Sequence, residues 1–213
     1  MSIRRIAMIG FGEAGSILGE DLVKEGCDVV TYDILLDAEP TRAPMLAKAA
    51  RVNVKTASSL GQAAQGAELL ISAVTASSSP DVAALAGKSL RAGQTFLDIN
   101  SCAPATKRGN RDAVEASGAR YVEAAVMAPV PPQRLKVPML LGGRSAAEIS
   151  LALNALGMRT TPISDEIGIA SAVKMCRSIV IKGLEALTLE CVLAARRFGA
   201  EQQVFASLDG TFP

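Results

Sequence analysis

Residues 10–15 read Gly-Phe-Gly-Glu-Ala-Gly, a G-x-G-x-x-G set directly after an apolar run of strand length at 6–9. Each glycine has its own task in such a frame. Gly10 permits a tight turn off the strand. Gly12 lets the backbone approach a pyrophosphate resting on free N–H groups at a helix N-terminus, and Gly15 lets helix and strand pack closely. A helical pattern follows, apolar at Ile17, Leu18, Leu22 and Val23, and Gly26 stands where a helix ends in a left-handed residue. A second strand over 29–32 delivers Asp33, 23 positions after Gly10, at the spacing of a ribose-binding acid. The chemistry implied is the capture of a dinucleotide.

Lys174 is the other residue of chemical interest. It sits in Ala-Ser-Ala-Val-Lys-Met-Cys, residues 170–176, a run with no other charge. Arg177 and Ser178 follow three and four positions on, so on a helix all three share one face. A desolvated amine beside a guanidinium has a lowered pKa, because both effects disfavour the ammonium; that tunes it as a general acid or base. The same spacing suits a lysine whose stem lies along a helix flank with its charge in water.

Composition narrows the field. The 213 residues are 49% hydrophobic, with a mean hydropathy of +0.29, enough for one ordinary domain with an appendage. A net charge of +1 gives no reason to expect nucleic acid or an anionic membrane as partner. Aromatics make up 3% and Trp is absent, which argues against base-stacking platforms. There is no His, so His-based acid–base chemistry and His-containing metal sites are excluded, and no metal site is expected. Cys27, Cys102, Cys176 and Cys191 show no C-x-x-C pairing and read as reduced thiols of a cytoplasmic protein. Arg4 and Arg5 lead straight into a strand, unlike a signal peptide, and no apolar run of about 18 residues predicts a membrane span.

The elements that must position these residues alternate. A loop is expected over 34–44, a short helix over 45–50, a short strand over 52–54 and a helix capped by Ser58 through Ala64. Residues 69–74 form a continuously apolar strand of the parallel kind, followed by small residues and a helix with Pro80 near its start. Strands over 94–99, 121–126, 137–141 and 160–163 follow, with helices from Pro104 to about Ser117 and from Ser145 to Leu156, and a rigid loop over 127–132. Lys107, Arg108 and Arg111 read as a solvated basic face. This alternation predicts an α/β Rossmann fold, a doubly wound, mostly parallel sheet over 1–165. From 166 to 213 the pattern predicts one helix of about 30 residues, 167–198, of about 45 Å length, and the start of another from Ala200. The apolar surface of that helix calls for a partner.

The sequence resembles the β-hydroxyacid dehydrogenase family, which includes 3-hydroxyisobutyrate and 6-phosphogluconate dehydrogenases, and within it the phosphogluconate-dehydrogenase-like NAD-binding oxidoreductases. The resemblance is carried by residues 9–15, 98–104, 123–129 and 168–178, with 182–187 and 190–197 matching that branch, in the expected order. It implies an NAD(P)-dependent dehydrogenase. Gly10, Phe11, Gly12, Glu13 and Ala14 would bind the pyrophosphate, Asp33 the adenosine ribose, Val74 and Thr75 would border the dinucleotide, and Asn100 the nicotinamide end. Ser101 falls on the family's substrate-binding hydroxyl and Lys174 on its catalytic lysine. It also implies an all-α C-terminal domain forming dimer contacts, hence a homodimer.

Three departures from the family pattern stand out. The substrate loop, usually Asp-Ala-Pro-Val-Ser-Gly-Gly, reads Glu-Ala-Ala-Val-Met-Ala-Pro over 123–129, so Met127 replaces a serine and the Gly-Gly that can grip a carboxylate is gone. The Asn pair after the lysine is replaced by Arg177 and Ser178, and Arg177 suits either an anionic substrate group or a structural pairing with Glu123 or Glu166. The family's C-terminal domain of about a hundred residues is represented here by roughly fifty, which reads either as a truncated or proteolysed product or as a short natural form. Asp33 with no neighbouring Arg favours NAD over NADP, Arg42 being the residue that could reverse this. Hydride exchange with a hydroxyacid-like or similarly polar small molecule is the leading expectation; an imine reductase and a non-catalytic dinucleotide-binding protein are the alternatives.

Overall fold

The computed structural model describes residues 3–212. Its strands are β1 (Arg5–Ile9), β2 (Asp28–Tyr32), β3 (Lys55–Thr56), β4 (Leu69–Ser72), β5 (Thr95–Asp98), β6 (Arg120–Val126), β7 (Pro138–Gly142) and β8 (Arg159–Ser164). They form a single sheet in the order β3-β2-β1-β4-β5-β6-β7-β8. Every pairing is parallel except β6 with β7. The order reverses between β1 and β4, and in such sheets ligands bind outside the strand carboxyl ends at that point.

The helices are α1 (Glu13–Lys24), α2 (Arg42–Arg51), α3 (Leu60–Ala64), α4 (Ser79–Ser89), α5 (Pro104–Glu115), α6 (Val130–Gln133), α7 (Ala146–Ala155), α8 (Ile169–Phe198) and α9 (Glu201–Thr211). Alternation along β1 divides the core. Ile6 and Met8 join one apolar cluster, with Leu18 and Leu22 of α1 and Ile149 and Leu153 of α7. Ala7 and Ile9 point to the other face, into a cluster with Ala63, Ala83, Ala86, Phe96 and Val114. That face is rich in alanine, which brings helices close: a Cβ at Gly87 of α4 would lie 2.1 Å from the Ala113 carbonyl oxygen of α5.

The chain divides into two compact units, one through Lys174 and one from Met175. The second unit holds the remainder of α8 and α9, separated by Gly199 at φ +63°. Its apolar side chains are open, with Ile179, Leu187 and Phe198 exposed to 74%, 65% and 82%. Among the described residues no helix is long and apolar enough to cross a membrane.

Three local expectations are corrected. The strand expected over 52–54 lies instead at Lys55–Thr56, because Asn53 turns the chain at φ +56° after α2. The loop expected over 34–44 contains a 3-10 turn at Ile34–Leu36 and the first turn of α2, where Pro44 is tolerated because its position has no intrahelical acceptor to lose. The rigid loop over 127–132 includes the one-turn α6, entered through Pro129.

Candidate functional site

β1 delivers the chain to Gly10, which turns at φ +88°; a Cβ there would lie 2.5 Å from the Ala73 carbonyl oxygen. A Cβ at Gly15 would lie 2.1 Å from the Gly10 carbonyl oxygen. These two glycines exist for close backbone packing. Gly12 differs, since a Cβ there would meet nothing within 4 Å. It is the N-cap of α1 and has no side-chain capping bond. Open space before an uncapped helix start is the cradle that a diphosphate fills, so the residues present fit the group.

Asp33 sits at the end of β2 and closes this loop. Its Oδ2 accepts from the Phe11 N–H at 2.6 Å and its Oδ1 from the Leu35 N–H at 2.9 Å. The Phe11 amide is therefore committed to Asp33, and the Phe11 ring is fully buried. Glu13 is exposed in the first turn of α1. Lys48 of α2, which the sequence reading passed over, donates to the Phe11 and Gly12 carbonyls at 2.6 and 2.7 Å and lies 5.5 Å from the Phe11 ring centroid. Burial holds its pKa below the usual lysine value. Only its distance from the motif hid it, 36 positions after Gly12. Arg42 is anchored to the Leu36 and Asp37 carbonyls and faces a separate hollow with Ser58, Ser59 and Gln62.

Two hollows meet along Ala73, Val74 and Thr75. The glycine lobe, about 560 Å³, is lined by Gly10, Gly12, Asp33, Ile34, Leu60 and Val82 among others. The lysine lobe, about 420 Å³, is lined by Ala14, Asn100, Ser101, Val126, Ala128 and Lys174 among others. Together they run across the point where strand order reverses.

Lys174 Nζ donates to Ser101 Oγ at 2.8 Å, joining positions 73 residues apart. Desolvation first, and the charge of Lys107 second, lower its pKa from the ordinary lysine value. The second cause is thus Lys107 and not the neighbouring arginine of the helix. Glu123 explains how α8 is aimed. Its Oε1 accepts from the Gly168 and Ala170 N–H groups at 2.6 and 3.1 Å, and its Oε2 from the Ser171 hydroxyl at 2.7 Å. Glu123 is fully buried and spends its carboxylate on the start of this helix.

The expectation of a solvated face at 107–111 fails at Lys107, which is 1% exposed. It donates to Asp98 Oδ1 at 2.7 Å and to the Asp98 carbonyl at 2.8 Å. Asp98 Oδ2 accepts from Tyr121 Oη at 2.6 Å and from Asn110 Nδ2 at 3.0 Å. Burial, then the Asp98 charge, hold the Tyr121 phenol protonated well above its ordinary range. The network continues to the cleft: Asn100 Nδ2 donates to Ser72 and Ser79 Oγ, and Asn100 Oδ1 accepts from the Val74 N–H at 2.7 Å. Asn100 therefore borders the lysine lobe with its amide fully engaged.

Thr75 lies at the shared rim, its hydroxyl 3.0 and 2.9 Å from those of Ser77 and Ser78. Met127 is half-buried and donates its N–H to the Pro138 carbonyl, while its neighbours Val126 and Ala128 line the lobe. Arg177 and Ser178 belong to the second unit, on the following turn of α8.

A doubly wound sheet with an open phosphate cradle and a continuous groove across its switch point defines a nicotinamide-dinucleotide-binding oxidoreductase scaffold. The model of the NAD binding domain of 6-phosphogluconate dehydrogenase matches residues 5–158, and the chain belongs to that family, within the β-hydroxyacid dehydrogenases. A conserved hypothetical protein of Sinorhizobium meliloti 1021 is 36% identical, with a TM-score of 0.86, over 99% of this chain and 71% of that one. The conserved protein MTH1747, of unknown function and described as structurally similar to 3-hydroxyacid dehydrogenases, is 33% identical with a TM-score of 0.82, over 97% and 76%. The mitochondrial 3-hydroxyisobutyrate dehydrogenase of Drosophila melanogaster is 22% identical over 210 residues, 96% of this chain and 62% of that enzyme. The chain thus spans less than two thirds of the Drosophila enzyme's length.

Proposed function

We propose that this protein moves a hydride between a nicotinamide dinucleotide and a hydroxyacid-like or related polar alcohol, with Lys174 as the general acid and base. The observation that carries the reading is the Lys174–Ser101 contact, 2.8 Å long, on the wall of the lysine lobe. When bound, the nicotinamide supplies the hydride chemistry. The protein aligns the reacting carbon and handles the proton. In oxidation, neutral Lys174 takes the hydroxyl proton as the carbinol carbon gives up its hydride and becomes a carbonyl. In reduction, the ammonium returns that proton to the carbonyl oxygen. Ser101 accepts from the amine and keeps its own O–H free for the reacting oxygen.

NAD is the favoured cofactor. The Asp33 carboxylate repels a 2′-phosphate, and the Arg42 guanidinium is spent on the Leu36 and Asp37 carbonyls. The open apolar side chains of the second unit support a homodimer; a monomer by light scattering would remove that part of the reading.

Lys174→Ala tests the whole. Turnover is expected to fall about 10²–10⁴-fold while NADH affinity, followed by fluorescence, stays within about twofold. The lowered pKa of Lys174 sets the sign of the pH dependence. Oxidation needs the neutral amine, so its rate climbs with pH and levels off below the ordinary lysine value of 10.5, whereas reduction declines over the same range. NADH binding with no turnover of any substrate that depends on Lys174 would leave only a dinucleotide-binding protein, and turnover of cyclic imines but of no alcohol would favour the imine reductase alternative.

A further inference from the structure

The turn between β1 and α1 is gripped from behind by one side chain. Lys48 of α2 donates to the Phe11 carbonyl at 2.6 Å and to the Gly12 carbonyl at 2.7 Å. Its Nζ also lies 5.5 Å from the centroid of the buried Phe11 ring, a distance at which the ring face attracts a cation. Three contacts on one half-buried ammonium fix it against the turn.

The two carbonyls belong to the peptide units that carry the Gly12 and Glu13 N–H groups. A trans peptide is planar, with its C=O and N–H on opposite sides. Drawing both carbonyls toward α2 therefore turns both N–H groups away from it. Neither N–H meets an acceptor among the described residues. Gly12 lines the glycine lobe, whereas Lys48 does not. The preceding N–H, that of Phe11, is spent on Asp33 at 2.6 Å. The cradle thus begins with the Gly12 and Glu13 amides at the start of α1.

Charge points the same way. Asp33 and Glu13 are acidic groups at this turn, and both act on Lys48 electrostatically, as does Arg51 of the same helix. An ammonium behind the turn offsets the repulsion those carboxylates exert on an incoming anion. A hydrogen bond from a charged donor also polarises the accepting peptide and strengthens its own N–H as a donor.

We propose that Lys48 is a positioning residue for the dinucleotide diphosphate: from behind the turn it orients and polarises the Gly12 and Glu13 N–H groups that receive the phosphate oxygens. This deepens the dinucleotide-binding reading above and rests on it.

The matched probes are ADP-ribose and adenosine, which share base and ribose and differ in the diphosphate. Full-length protein is titrated with ADP-ribose by calorimetry, and with adenosine by displacement of fluorescent NADH. Lys48→Met keeps the length of the stem and removes its charge and donors. It is expected to weaken ADP-ribose binding about fivefold. Adenosine binding should stay within about twofold of wild type, which also shows that the variant is folded. Lys48→Arg keeps the charge and can donate to both carbonyls, and should hold both ligands within about twofold of wild type. Undiminished ADP-ribose binding in Lys48→Met overturns the proposal. So does an equal loss of adenosine, which would make Lys48 a support of the whole loop, and so does a loss in Lys48→Arg as large as in Lys48→Met. Failure of the underlying reading looks different: the wild-type protein itself binds no ADP-ribose, and the proposal falls with it.

Discussion

The two lobes of the groove are built by different means. The glycine lobe depends first on backbone geometry: a left-handed Gly10 against Ala73, an unobstructed Gly12 and Gly15 against Gly10. The lysine lobe depends on side chains far apart in the chain. Lys107 meets Asp98, Asn100 meets Val74, Asn110 meets Ser79 and Lys174 meets Ser101, across separations of 9, 26, 31 and 73 residues. A backbone turn fails chiefly where its own residues change. A buried polar network fails as a unit, because each lost partner strands the others without water. The lobe that holds the Lys174 amine is therefore the more brittle of the two.

Lys107→Met puts the greatest strain on this contrast. It leaves the Asp98 charge buried and unpaired, and should cost about 3–5 kcal/mol in urea unfolding. Adding Asp98→Asn should restore a substantial part. A cost below about 0.5 kcal/mol, the level of an ordinary surface substitution, would erase the distinction between the lobes. Gly10→Ala comes next. The new methyl would press on the Ala73 carbonyl at 2.5 Å in a left-handed backbone. About 1–3 kcal/mol of stability should be lost, together with affinity for ADP-ribose, a probe of the glycine lobe read by calorimetry. Lys48→Met sharpens the comparison most gently. Removing its two bonds to the Phe11 and Gly12 carbonyls should weaken ADP-ribose binding by about fivefold, or about 1 kcal/mol. A larger loss would mean that the glycine lobe leans on this distant side chain as heavily as the lysine lobe leans on its own.

The same contrast explains what could be read from the chain alone. The strand–turn–helix frame at Gly10, the left-handed Gly26 and the long α8 follow from local periodicity, and all three are present, with α8 running over Ile169–Phe198. Boundaries moved where one residue decides a turn, as at Asn53. Lys107 departs from the expected solvated face because helical spacing records a face and not what that face meets. Asp98 lies nine positions earlier, on a strand whose sidedness only the packed sheet fixes. Glu123 looked like half of an ion pair, yet it serves as an acceptor for the first turn of a helix 45–48 positions away. Apolar patterning carries no trace of such a bond.

Gly142 gives the Glu123 contact a mechanical meaning. It ends β7 opposite Glu123 in the antiparallel register, and a Cβ there would lie 2.6 Å from Glu123 Oε1 and 3.1 Å from the Glu166 carbonyl oxygen. The bare backbone thus supplies clearance for a fulcrum: the carboxylate grips residues 168–171, and the amine of Lys174 rides at the end of the lever, one turn beyond. Bulk introduced at Gly142 would press on that carboxylate, so the aim of the Lys174 amine is set by a position that does not line the lobe the amine faces.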